Sequence, residues 1–229
     1  MLEATNHMVI PPFRNESYID PSDPGVREKM RSAIEALRSE SKEYDLMVGG
    51  EPISTEKRIL SRNPANPEEI VGRVSSANMG IVDKALNCAY KAFESWSMLP
   101  AYERVKPFLR AAEIMRQKRF ELDATMILEV GKSWIEADAD LAEAIDFLEF
   151  YSREALRYDE PQPVVQVPGE YNLLRYIPLG VGAVIPPWNF PCAIMVGMTT
   201  AAAVSGNCVL LKPASDSPVI AAKFVQILK

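Results

Sequence analysis

The sequence predicts an α/β fold in three segments: a helical part with a small hairpin over residues 1–158, a β-hairpin over 159–178, and the start of a parallel sheet with helices over 179–229. Three observations carry this. Apolar residues recur at helical spacing through most of the first 158 positions, composition changes abruptly at Asp159-Glu-Pro-Gln-Pro163, and from residue 181 the pattern runs strand, helix, strand, helix. That last order is the one parallel sheets with crossover helices produce.

Val26, Met30, Ile34 and Leu37 fall on one face of a helix expected from Pro24 to about Tyr44, with Pro24 suited to its first turn. Asp45 to Ile53 reads as strand, Gly-Gly turn, strand, and Asn63-Pro-Ala-Asn-Pro67 is a turn cluster before Ile70-Val71, which together predict a small sheet beside the first helix. Val82, Leu86, Ala89 and Phe93 mark a second helix. Pro100 to Val130 reads as helical with a break near Pro107 and a stop at Gly131, and a further helix is expected from about Ser133 to Tyr158 with Leu141, Ile145 and Leu148 on one face.

Beyond the Pro-rich boundary, Val164–Val167 and Leu173–Ile177 are strand-like, with Pro168-Gly-Glu170 as the turn between them. Val181–Ile185 is a strand, Pro191 to Ser205 an Ala-rich helix ended by Gly206-Asn207, Val209–Leu211 a buried strand, and Ser217-Pro218 the opening of a last helix.

Composition narrows the function. A net charge of −6, without a basic patch, argues against a nucleic-acid partner. No stretch approaches the roughly 18 uninterrupted apolar residues of a membrane span, and Met1-Leu-Glu-Ala-Thr5 has neither a basic nor an apolar signal region, so a cytoplasmic protein is expected. Cys88, Cys192 and Cys208 are too few and too scattered for a disulfide framework or a zinc site, and are read as structural. His7 is the only histidine, so no hydrolytic triad can be assembled. Gly180-Val-Gly182 starts a dinucleotide fingerprint, but its third glycine would fall at Ile185; Gly131-Lys-Ser133 imitates the end of a phosphate loop, but the first glycine would fall at Met126.

A strand ending at Ile185 delivers the next loop, Pro186-Pro-Trp-Asn-Phe-Pro191, to the carboxyl edge of the sheet, where open α/β sheets bind ligands. Its prolines stiffen the backbone and can hold the Asn189 amide at a set position with little entropy lost. Spacing alone leaves a second reading open, a Pro-rich turn in which Asn189 only satisfies backbone groups. Lys212 directly follows an apolar strand, where a charge must face either solvent or a polar ligand.

The Pro186–Pro191 loop paired with Lys212-Pro213 resembles the nucleotide-binding signature of the NAD(P)-dependent aldehyde dehydrogenases. Pro12-Phe-Arg-Asn-Glu16, Glu136-Ala-Asp-Ala-Asp140, Glu143-Ala-Ile-Asp-Phe147 and Lys212-Pro-Ala-Ser-Asp216 bring the likeness closest to the L-glutamate γ-semialdehyde (1-pyrroline-5-carboxylate) dehydrogenases, whose reaction belongs to proline degradation. The resemblance implies a Rossmann-like sheet in the third segment and an oligomerisation flap in the hairpin, hence a homo-oligomer acting on a small aldehyde. It also implies Asn189 as an oxyanion donor, with Ile185, Pro186, Pro187, Trp188, Lys212, Ala214 and Ser215 at the cofactor, and Phe190 and Glu143 along the substrate channel. Glu143 also has a plain reading as an exposed acid on a surface helix. Many members carry a glutamate where this chain has Ser215, so NAD is the expected cofactor and NADP is expected to be accepted too, the repelling carboxylate being missing. The family's nucleophilic cysteine and general-base glutamate lie downstream of the positions matching Lys212. The chain is therefore expected to be the N-terminal portion of such an enzyme, inactive alone, the competing reading being a non-catalytic nucleotide-binding or interaction module.

Overall fold

A computed structural model describes residues 10–39 and 42–229; His7 lies outside the described residues. The first helix, α1 (Pro24–Ser39), opens where Asp23 Oδ1 accepts the Gly25 N–H at 2.7 Å, and it buries Met30 and Leu37. It ends earlier than helical periodicity suggests, because the chain from Lys42 onward turns to strand: β1 (Glu43–Tyr44) pairs in parallel with Arg73 and Val74, and Tyr44 packs against Val74 and Val219.

Strands β2 (Leu46–Val48) and β3 (Glu51–Ile53) form the expected hairpin. Its Gly49 and Gly50 have φ of 60° and 84°, a left-handed pair that side chains with a Cβ would resist. Strands β4 (Arg58–Asn63) and β5 (Asn66–Ser75) are antiparallel around the Asn63–Pro67 turn, giving a three-stranded sheet in the order β1-β5-β4. Strand β4 escapes a sequence reading because a register shift at Ser61–Asn63 breaks its alternation.

The helical layer follows. Helix α2 (Met79–Trp96) is capped by Asn78, whose side chain accepts the Ile81 N–H at 3.0 Å. Helices α3 (Ala101–Arg104) and α4 (Lys106–Gln117) divide at Val105, which is the break expected near Pro107, and α5 (Arg119–Val130) is set off by a further division at Lys118 that helical periodicity does not predict; Gly131 ends α5 in the left-handed conformation, φ 70°. Helix α6 (Trp134–Asp159) starts in a reciprocal capping box between Ser133 and Glu136.

Between Glu160 and Gly180 the expected hairpin forms only in part. The turn closes through Glu170 N–H to the Val167 carbonyl at 3.0 Å, but a single bridge, Gln162 to Leu174, stands in for a ladder. Across the excursion the Gln166 side chain donates to the Asn172 carbonyl at 2.9 Å and accepts the Asn172 N–H at 3.3 Å, while the Asn172 side chain donates to the Val165 carbonyl at 3.2 Å, and most of the excursion's apolar side chains are exposed. A two-stranded hairpin tied down chiefly by one ring contact, Tyr176 on Tyr158 of α6, is marginal, which is why β-propensity alone did not produce strands here.

The last segment is a parallel βαβ unit plus one helix: β6 (Val181–Val184), α7 (Ala193–Val204), β7 (Cys208–Leu211) and α8 (Pro218–Leu228). The strands align Val181 with Cys208 through Val184 with Leu211. Every residue of β7 is half-buried instead of buried, since among the described residues β6 is its one ladder partner. The main core lies where α4, α5, α6, α7 and α8 meet, around Met115, Leu122, Met126, Leu141, Ile145, Leu148, Met195, Ile220 and Phe224. Helices α6 and α7 approach so closely that a Cβ on Gly197 would sit 2.7 Å from the Phe147 ring, which is itself stacked on Tyr151.

The same layer buries acids. Asp138 accepts from Arg119 Nε at 2.6 Å and from the Ile19 N–H at 2.9 Å, while Asp123 is fully buried and neither of its oxygens has a partner. Burial, reinforced by the neighbouring Asp138 charge, pushes the Asp123 carboxyl up to about 8, so it is mostly protonated at neutral pH.

Three outcomes are expected. Gly197→Val should lower stability in denaturant unfolding by roughly 2 kcal/mol or more, because the Phe147–Tyr151 stack cannot retreat without opening the core. Gly182→Ala, which meets nothing within 4 Å, should change it by no more than about 0.5 kcal/mol. Because the folded state holds the Asp123 proton that the unfolded chain releases near pH 4, this group's contribution to stability falls as pH rises from about 4 to 8. The stability of Asp123→Asn relative to wild type should therefore increase across that range; a pH-independent difference would show that Asp123 is ionised in the fold.

Candidate functional site

Because β6 and β7 run parallel and in register, the loops that follow them leave the same edge of the sheet. The Lys212 N–H donates to the Val184 carbonyl at 2.9 Å, extending the ladder by one bond and setting Lys212 beside the first residues of the Pro186–Pro191 loop. The two sequence motifs, separated by an apolar helix in the chain, are thereby brought together.

The loop has buried feet and an exposed crest. Pro186 and Pro191 are buried, whereas Ile185, Pro187, Trp188, Asn189 and Phe190 are exposed. The Asn189 side chain makes no hydrogen bond within the described residues. On the second loop Lys212 is exposed and its Nζ donates only to the adjacent Pro213 carbonyl at 3.2 Å. Ala214 is half-buried and its carbonyl accepts the Ser217 N–H at 3.2 Å, which folds the loop into α8; Ser215 is exposed. All seven residues expected at a cofactor thus lie on two adjoining loops at one sheet edge.

Sequence reasoning did not assign a role to two residues that hold this edge to the helical layer. Asp140, fully buried on α6, accepts the Ala193 N–H through Oδ1 at 2.7 Å, at the first residue of α7, and its Oδ2 lies 3.1 Å from Lys132 Nζ. The Lys132 ammonium in turn sits 4.4 Å from the centroid of the Phe190 ring. Burial raises the Asp140 carboxyl above its ordinary range, while the Ala193 bond and Lys132 oppose the shift. Glu143, one turn along α6, is exposed, and its charge reaches Asp140. So Glu143 and Phe190, expected along one channel, flank the same buried ion pair. The signal that could have pointed to the pair is phase: Asp140 falls beside Leu141 on the inward stripe of α6, and Lys132 directly follows the helix-stopping Gly131.

The thiols behave as a core reading expects. All three are free; Cys192 is buried at the start of α7 and Cys208 is half-buried, and burial pushes both thiols above their ordinary range. Among the described residues no group of three or more His, Cys, Asp or Glu could hold a metal ion, and no helix is long and apolar enough to cross a membrane.

Residues 52–229 match the model of the aldehyde dehydrogenase family. The 1-pyrroline-5-carboxylate dehydrogenase of Geobacillus kaustophilus (strain HTA426) is 47% identical over 222 residues, 96% of this chain and 43% of that protein. The enzyme of the same name from Bacillus mycoides (strain KBAB4) is 48% identical over 95% of this chain and 42% of its own length. Among solved structures, 1-pyrroline-5-carboxylate dehydrogenase from Thermus with bound NAD superposes with a TM-score of 0.94 at 45% identity, and the Mycobacterium tuberculosis Δ-pyrroline-5-carboxylate dehydrogenase bound with NAD does so at 0.89 and 30% identity. These cover 96% and 98% of this chain but 43% of each relative, so the chain spans under half the length of the proteins it matches. With three quarters of its length matched by the family model and its fold shared with these enzymes, the chain belongs to the aldehyde dehydrogenase family.

Proposed function

We propose that this chain carries the nucleotide-binding edge and one oxyanion donor of an enzyme that oxidises L-glutamate γ-semialdehyde, the open form of 1-pyrroline-5-carboxylate, to L-glutamate. The observation that carries the reading is the meeting of the Asn189 loop and the Lys212 loop at one sheet edge, with both polar side chains exposed and Lys212 bonded only to the adjacent Pro213 carbonyl. The names of the relatives supply the substrate.

In this reading residues 1–158 form the helical part of the cofactor-binding domain, 159–178 the flap, and 179–229 the start of the nucleotide-binding sheet. Lys212 donates to the ribose hydroxyls of the adenosine half; Ile185, Pro186, Pro187 and Trp188 on one side and Ala214 and Ser215 on the other make the walls. Asn189, presented on a loop whose proline feet are buried, donates its amide N–H to the oxygen of the aldehyde carbon as that oxygen gains charge, an effect typically worth roughly 10²–10³ in rate. Phe190 and Glu143 border the approach of the aldehyde. NAD, when bound, supplies the hydride acceptor. Exposed Val165, Tyr171, Leu173, Tyr176 and Ile177 on the 160–180 excursion support self-association in a cytoplasmic homo-oligomer.

The two thiols of this α/β segment, Cys192 and Cys208, have their ionisation disfavoured by burial, and the family's nucleophile and base lie downstream of the positions matching Lys212. Purified chain mixed with NAD and the semialdehyde is therefore expected to form no NADH, and turnover above background would sink that part of the proposal. Calorimetric titration with NAD is expected to show saturable binding that Lys212→Ala weakens about tenfold or more. NADP should bind within about tenfold of NAD, and Ser215→Glu should weaken NADP by a further factor of roughly ten while leaving NAD nearly unchanged.

A further inference from the structure

The Pro186–Pro191 loop must hold an exposed amide still without using that amide's own bonding capacity. Its stiffness has to come from below. The α7 helix that follows it begins at Cys192, a residue that makes no side-chain cap bond. A carboxylate from another helix does that work: Asp140, 53 positions upstream of Ala193, takes the Ala193 N–H at 2.7 Å. A negative charge at this place also meets the positive end of α7, an Ala-rich helix with no acidic residue in its first turn.

The same carboxylate holds Lys132, and Lys132 holds the loop a second time. Its ammonium, with a side chain only 11% exposed, stands 3.1 Å from Asp140 Oδ2 and 4.4 Å from the Phe190 ring centre. Two points of the loop-to-helix passage, the Phe190 ring next to Asn189 and the Ala193 amide just beyond it, are thus tied to one buried ion pair. Buried ion pairs contribute little net stability over apolar residues of the same size, whereas breaking one by removing a partner is costly. A pair placed here is better understood by what it aims than by how much it stabilises.

We propose that Asp140 and Lys132 are positioning residues that latch the Asn189 loop to the helical layer, setting the direction of the Asn189 amide through Phe190 and the first turn of α7. This rests on the reading of that loop as the aldehyde-facing one; the latch itself rests on the contacts above. Lys132 should accept arginine, which keeps both the charge and the ring contact, but not methionine, which keeps only the length.

Trp188 and Trp96 allow the test without turnover. Trp188 stands beside Asn189 on the loop, while the Trp96 indole donates to the Ala203 carbonyl at the far end of α7, at 2.9 Å. The full chain would be labelled with 5-fluorotryptophan, its Trp188 resonance assigned by Trp188→Phe, and compared with Asp140→Asn, Lys132→Met and Lys132→Arg by fluorine NMR and by hydrogen exchange at the Ala193 amide. The expected result is a Trp188 line that shifts or splits in Asp140→Asn and Lys132→Met, with Trp96 unmoved, Ala193 exchanging roughly tenfold faster in Lys132→Met, and both readouts restored in Lys132→Arg. If Asp140→Asn does not fold, Lys132→Met decides. An unmoved Trp188 line and unchanged Ala193 exchange in a cooperatively melting Lys132→Met, or a Lys132→Arg as disturbed as Lys132→Met, overturns the latch. NAD titrations on the same samples separate the two ideas: a wild-type chain that binds no NAD removes the functional reading, while the fluorine spectra still judge the latch.

Discussion

The helices of the sheet layer are terminated by side chains of the helical layer, and the position of every loop at the candidate site depends on that arrangement. Helix α7 starts at Ala193 on Asp140 and ends where Trp96 Nε1 and Arg104 Nε reach the Ala203 and Val204 carbonyls, each at 2.9 Å. Helix α8 starts where both oxygens of Glu129 accept the Val219 and Ile220 N–H groups, at 2.7 and 2.9 Å, with Ser61 donating to the same carboxyl at 2.8 Å. Neither Cys192 nor Ser217 at the helix starts makes a cap bond of its own. A hydrogen bond to a charged group is worth about 1.5–3 kcal/mol, and a buried orphan N–H costs a similar amount, so these contacts fix where each helix can begin. Where α7 and α8 begin is where the Pro186–Pro191 and Lys212–Ser217 loops must end.

Glu129 shows the cost of such capping. It is fully enclosed, and burial pushes its carboxyl up to about 7 although two backbone N–H groups and Ser61 pull the other way. The residue is retained at the join of β4, α5 and α8, where a smaller apolar side chain would leave two amides without acceptors. Lys223 on α8 pairs with Glu121 on α5 a short way along the same join, so the two helices are matched in direction at a second point.

Features governed by neighbours in the chain were legible in the sequence. The helix start at Ser133, the Gly131 stop, the Gly49-Gly50 turn and the β6–α7–β7–α8 alternation all have local causes, and the loops carrying Asn189 and Lys212 follow directly from that alternation. What was not legible depends on partners far away in sequence. Tyr44 leaves the first helix for a two-residue strand because Val74 and Val219 bury it; Cys208–Leu211 reads as buried but has one ladder neighbour; Val164–Val167 and Leu173–Ile177 have strand composition but little to pack on beyond the contact of Tyr176 with Tyr158. Within the site, exposed residues with distinctive chemistry were found and the buried Lys132–Asp140 pair behind them was not, since a charge on an inward stripe is visible only when its counter-charge is known.

That counter-charge accounting also explains the unusual state of Asp123. Three carboxyls, Asp123, Asp138 and Asp140, converge in the interior beneath the site, and two cations reach them: Arg119 on Asp138 at 2.6 Å and Lys132 on Asp140 at 3.1 Å. The N-terminal arm engages the rest of this guanidinium: Arg119 Nη1 donates to Glu16 and Nη2 to the Ser17 carbonyl, while the Ile19 N–H donates to the second oxygen of Asp138. Asp123 is the carboxyl left over. In a region this dry an unpaired carboxylate costs more than a proton, so it keeps its proton, and charge within the cluster balances. A charged Asp123 would set a second negative charge near Asp140, with Arg119 as the cation acting on it; its neutrality leaves Asp140 paired with Lys132 alone, at the start of the helix that follows the Asn189 loop.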